Sequence, residues 1–161
     1  MSNVIEMYEQ LKNWDMSLIK RFCVDKGIYS AGEVDEAEDE YKKWLALAFV
    51  NLKRGRAISI SATVDKFWHA HLLFTQNYIS MCFAFNGAFM HHRPAILDDD
   101  QSLQENYARF TVQEYKKHFG EMGPMWDSVV CKCMNNCCTD APAKDFIDGT
   151  IDKDFFLTTV R

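Results

Sequence analysis

Residues 30–56 read SAGEVDEAEDEYKKWLALAFVNLKRGR, and this stretch decides the fold. Val34, Ala37, Tyr41, Trp44, Leu45, Ala48 and Leu52 recur at the spacing of one helix face. Ser30 followed by Glu33 is a capping-box pattern. Acids crowd the start (Glu33, Asp35, Glu36, Glu38, Asp39, Glu40) and bases the end (Lys53, Arg54, Arg56), as the helix macrodipole favours. The acidic run therefore reads as a solvated helix start and not as a metal site.

Working outward, residues 3–12 suit a short helix. A second is expected over 15–26, with Leu18, Ile19, Phe22 and Cys23 on one face and Gly27 ending it. The stretch AISISA at 57–62 suits a short extended link. A long helix is expected from Val64 to Phe85, with Ser61 or Thr63 as N-cap and Asn86-Gly87 breaking it. Asp98, Asp99 and Asp100 lead into a helix over 101–119, with Leu103, Tyr107, Phe110, Thr111, Glu114 and Tyr115 along one side. Gly120, Gly123 and Pro124 end it, and the chain from 125 is less regular. Three Pro and seven Gly are too few turn residues for a hairpin-rich β fold. The expectation is all-α: a single-domain irregular helical bundle of about five to six helices. Residues 1–128 form the helical domain and 129–161 a Cys-containing C-terminal segment.

Composition narrows the function classes. A net charge of −5, with no basic cluster interleaved with aromatics, argues against nucleic acid as a partner. No apolar run approaches the ~20 residues of a membrane helix. The start, MSNVIEMYEQLKNW, lacks the basic and apolar regions of a signal peptide. The expected compartment is the reducing cytoplasm, so the six Cys read as thiols or metal ligands before disulfides.

Four of the five histidines lie in VDKFWHAHLLFTQNYISMCFAFNGAFMHHRP, residues 64–94. Imidazole is the commonest metal ligand and the commonest acid or base near neutral pH. The candidate ligands are Asp65, His69, His71, Cys82, His91 and His92, of which a subset is expected to share a site. Helical geometry sorts them. Val64, Phe67, Trp68, His71, Leu72, Thr75, Tyr78, Ile79 and Cys82 form one stripe, which places His71 on the apolar face. His69 lies about 200° around from His71, so on a straight helix the two cannot bind one ion. His71 and Cys82 share a face but stand about 16 Å apart. Asp65 is the i−4 neighbour of His69 and suits a ligand or an acceptor for its ring N–H. The turn at Asn86-Gly87 lets His91 and His92 fold back. The competing reading makes His71 a hydrogen-bonded core residue, Cys82 a buried inert thiol and His118 a dipole-favoured helix end.

Cys131, Cys133, Cys137 and Cys138 form C-x-C-x3-C-C, a possible second site. Four thiolates suit tetrahedral zinc or copper(I), although the spacing is not that of a zinc ribbon. A thiol-rich tail or a redox-sensitive segment is the alternative. Cys23 reads as core.

The pattern V-D-x-x-W-H-x-H-L-L-x-T-x-x-Y-x-x-x-C, then a glycine and H-H-x-P, resembles the glycine-rich domain-containing proteins, in their short bacterial form. Its residues here are Val64, Asp65, Trp68, His69, His71, Leu72, Leu73, Thr75, Tyr78, Cys82, Gly87, His91, His92 and Pro94. EYKKWLALAF upstream and TVQEYKKHFGEMGPMW downstream extend the resemblance over 17–127. It implies a shared helical core with a His/Cys site and names no reaction. The chain departs from that pattern in carrying ILDDD where bacterial relatives have a glycine pair, and in lacking the long glycine-rich tail.

Three functions compete. The first is a metal-binding protein, with zinc before iron or copper, in a structural or partner-binding role, the partner being another protein. The second is a metal-free interaction module, inhibitor or regulator. The third is a metal-dependent hydrolase or oxidase using Asp65 and His69 as ligand and base, with Tyr78 or Glu105 nearby. The absence of H-E-x-x-H, a nucleophile elbow and a phosphate loop places the enzyme last.

Overall fold

The helix read from residues 30–56 is the centre of the molecule. The computed structural model describes residues 3–92 and 101–127, with side chains from Glu105 onward in the second stretch. The chain runs α1 (Val4–Lys12), α2 (Ser17–Asp25), α3 (Val34–Leu52), α4 (Ala62–Leu73), α5 (Thr75–Met81), a π-helical turn (Cys82–Asn86), α6 (Gln101–Phe119) and a 3-10 turn (Pro124–Trp126). The architecture is an all-α helical bundle, with no strand among the described residues. No helix among them is long and apolar enough to cross a membrane.

Periodicity marks one apolar face on α3, and all seven of its residues are buried. Burial goes further, because every residue from Glu40 to Leu52 except Lys43 is buried. Ala46, Leu47, Phe49 and Val50 fill the sides that the stripe leaves open, as in a helix enclosed on all faces. Helices α1, α2, α4 and α6 all pack on it. Enclosure makes unpaired charged groups on it costly. The Lys42 ammonium donates to the carbonyls of Lys12 (3.2 Å) and Trp14 (2.9 Å) and to Glu38 (2.7 Å), closing the C-terminal end of α1. The Glu40 carboxylate accepts from the Tyr115 hydroxyl and the Trp126 indole, both at 2.7 Å, and from Lys43 at 2.8 Å. One buried anion thus ties α3 to α6 and to the closing 3-10 turn.

Local signals hold with adjustments. The Glu33 carboxylate accepts from the Ser30 backbone N–H (3.0 Å) and hydroxyl (2.6 Å), half of the expected box, and the helix begins at Val34. On α2, Ile19 and Cys23 are buried, but Leu18 is 67% exposed. A step of about 100° per residue separates the exposed Leu18 from the buried direction of Ile19. The link at 57–61 is buried. In it the Ser59 N–H donates to Thr111 Oγ1 at 2.7 Å. Ser61 is the N-cap of α4, accepting from the Val64 N–H at 3.1 Å.

The single helix expected over 64–85 is two helices and a π-helical turn. Phe74 leaves the helical region (φ −92, ψ 63) between α4 and α5. Its ring packs edge-on against Phe22 at 5.6 Å, and the bend brings Asn77 Oδ1 within 2.8 Å of His71 Nε2. On a continuous helix those residues would be separated by a rise of about 9 Å. Tertiary contacts therefore replace one turn of helix, with no Gly or Pro to announce it. Thr75, placed in the apolar stripe by a straight helix, is exposed as a result.

Replacing Glu40 by Ala is expected to destabilise the protein by about 3–5 kcal/mol, because it strands buried donors around a lost anion. Urea denaturation of Glu40→Ala against wild type measures this; a change within about 0.5 kcal/mol would contradict the role.

Candidate metal centre

Asp65 sits in the first turn of α4, capped by Ser61, and His69 follows one turn later on the same flank. After the π-helical turn, Gly87 adopts the left-handed conformation (φ 78) and reverses the chain. The returning segment carries His92 back onto α4. Three ligand atoms then converge. His92 Nε2 lies 3.1 Å from Asp65 Oδ1, His69 Nε2 lies 3.2 Å from Asp65 Oδ2, and the two ring nitrogens are 2.8 Å apart. This group can hold a metal ion. Two imidazole nitrogens at that distance cannot both point a hydrogen along the line between them. A ring N–H can be aimed at Asp65, one nitrogen can lend a lone pair to the other, or both lone pairs can face a cation.

These spacings, one from each carboxylate oxygen to a ring nitrogen and one between the nitrogens, are close to the edge of a coordination face. Zinc–nitrogen and zinc–oxygen bonds of about 2.0–2.1 Å at tetrahedral angles put ligand atoms about 3.3 Å apart. An ion requires the two ring nitrogens, 2.8 Å apart, to separate by about half an ångström. Asp65 and His92 have side chains 9% exposed, whereas His69 is 54% exposed, so the site opens toward solvent on the His69 side.

The other candidates lie elsewhere. His71 is fully buried, with Nδ1 3.1 Å from the Tyr41 hydroxyl and Nε2 2.8 Å from Asn77 Oδ1. Asn77 Oδ1 also accepts from the Trp14 indole at 2.9 Å, and its amide nitrogen donates to the Asp15 carbonyl at 3.1 Å. These partners fix Asn77 Oδ1 as an acceptor, so His71 carries its hydrogen on Nε2. Burial pushes His71 down from 6.5 to about 4, against the Asn77 hydrogen bond, which favours the charged form. His91 is exposed, its ring edge-on to Phe89 at 4.8 Å. Cys82 is buried in the π-helical turn, and Cys23 is buried in α2. His118 pairs with Glu114 at 3.7 Å on α6. Glu105 is exposed on α6. Cys131, Cys133, Cys137 and Cys138 lie outside the described residues.

Helical spacing does not single out the residues that support the site. The Trp68 ring lies against His92, with centroids 4.2 Å apart. The Trp68 indole donates to the Tyr78 hydroxyl at 3.1 Å, and that hydroxyl donates to the Met90 carbonyl at 2.6 Å. In the sequence Trp68 and Tyr78 stand out as members of the apolar stripe and of the histidine motif, not as partners of each other.

The chain belongs to the UCP032817-like family, whose model matches residues 2–116. This corrects the resemblance to glycine-rich domain-containing proteins. The W-H-x-H and H-H-x-P motifs fall inside the matched stretch, and the family that claims them is an uncharacterised one. No curated protein and no solved structure matches the chain.

His71 carries a pH dependence of known sign. The unfolded chain takes up its proton near 6.5 and the folded chain near 4. Stability is therefore full above the first value and falls as pH drops toward the second, by about 3 kcal/mol in all. Urea midpoints measured without metal across that window are expected to fall in wild type and to change less in His71→Gln. Equal slopes would contradict a neutral, buried His71.

Proposed function

We propose that this member of the UCP032817-like family is a metal-binding helical protein, with one zinc ion held by Asp65, His69 and His92. The observation that carries the reading is the convergence of three ligand atoms within 4.8 Å of one another, from two segments 23 or more residues apart. The ion fastens the returning segment to α4. Zinc prefers four ligands, and the exposed flank at His69 is where a water or a donor from a protein partner completes the set. The role proposed is structural and partner-binding, in a cytoplasmic protein.

A second reading has its own support. Two histidines and one carboxylate are also the ligand set of non-haem iron(II) oxygenases, and an accessible flank suits chemistry there. The identity of the bound metal separates the two.

Metal content by mass spectrometry, on protein purified without a metal-binding tag, tests the proposal. About one equivalent of zinc is expected in wild type, in His91→Ala and in Cys82→Ala. Asp65→Ala, His69→Ala and His92→Ala should lose most of it. Iron in place of zinc would favour the second reading. No metal in wild type, or metal that survives all three ligand substitutions, would overturn the assignment.

A further inference from the structure

Resting on the metal-binding reading, we infer that Tyr78 is a positioning residue of this site. It holds the segment 90–92 on α4 so that His92 meets Asp65 and His69 before any ion arrives. Two of the ligands, Asp65 and His69, are set by one helix at i, i+4 spacing, so their separation needs no outside help. The third comes from a segment that must be returned to the helix. Its anchor is a relay of three buried residues: Trp68 0%, Tyr78 1% and Met90 1% exposed.

The relay has a fixed polarity. An indole N–H only donates, so the Tyr78 oxygen accepts from Trp68 (3.1 Å) and its own hydrogen is directed to the Met90 carbonyl (2.6 Å). Phe89 closes the segment from the other side, its ring edge-on to Tyr78 at 5.4 Å. Two residues beyond Met90, the His92 ring packs at a tilt of 50° on the same Trp68 that begins the relay. The tryptophan thus touches the third ligand directly and, through Tyr78, holds the backbone two residues before it. Removing one hydroxyl leaves a buried N–H and a buried carbonyl without these partners, and frees the segment that carries His92.

The test uses cobalt(II) as the probe, with affinity from its visible absorption, on wild type, Tyr78→Phe and Met7→Ala. Met7 is a buried residue of α1, a helix that carries no ligand, so it reports what loss of stability alone does. Tyr78→Phe is expected to bind cobalt about 10–100-fold more weakly, with a weakened or shifted spectrum, while Met7→Ala binds as wild type does. Equal affinity in wild type and Tyr78→Phe, or equal losses in the two variants, would overturn the inference and leave the site itself standing. No cobalt binding by wild type would overturn both.

A second measurement needs only metal-free wild type. The Met90 methyl signal, observed by NMR with a soluble paramagnetic agent, is expected to be protected from it. A Met90 methyl open to the agent until metal is added would show that the ion, and not Tyr78, docks the segment.

Discussion

The bend at Phe74 is the feature on which the rest of the site depends. Were α4 and α5 one helix, Trp68 and Tyr78 would stand about 15 Å apart along it. The break brings the Trp68 indole to 3.1 Å from the Tyr78 hydroxyl and Asn77 to 2.8 Å from His71. It also folds the following turn back, so that Gly87 can return His92 to the helix carrying Asp65 and His69. Backbone hydrogen bonds given up at the bend are exchanged for a buried side-chain network, which specifies one geometry more narrowly than a continuous helix does.

The bend is tenable because α4 lies on an enclosed helix. Trp44 of α3 packs on Trp68 at 4.5 Å, and Trp68 packs on His92 at 4.2 Å. The path from the core to the proposed ion is a run of rigid rings in tilted contact. Close-packed interiors deform little, so a ligand mounted this way keeps its place. His69 differs in being exposed on the outer flank of α4. In the proposed site the buried residues would fix the ion, and the exposed one would mark the side from which it can be reached.

The helices were legible in the sequence because burial writes itself as periodicity. The stripe on α3, the stop at Gly27 and the span of α6 all follow from side-chain spacing and backbone preference. The pairing of Asp65 with His69, and the exclusion of His71 from their face, follow from helical angle alone. The bend was not legible, since Leu72, Leu73, Phe74 and Thr75 break no local rule and contacts with distant residues cause it. The exposure of Leu18 and the burial of Ala46, Leu47, Phe49 and Val50 depend likewise on how neighbouring helices are placed. Which of the two adjacent histidines turns inward also lay beyond periodicity. It depends on Met90 being anchored by Tyr78 and on Trp68 receiving the His92 ring.

A crystal structure of zinc-soaked protein, with anomalous data collected on both sides of the zinc edge, tests the central claim most directly. One peak is expected about 2.0–2.2 Å from His69 Nε2, His92 Nε2 and an Asp65 carboxylate oxygen. A peak absent there, or found only among Cys131, Cys133, Cys137 and Cys138, would contradict it.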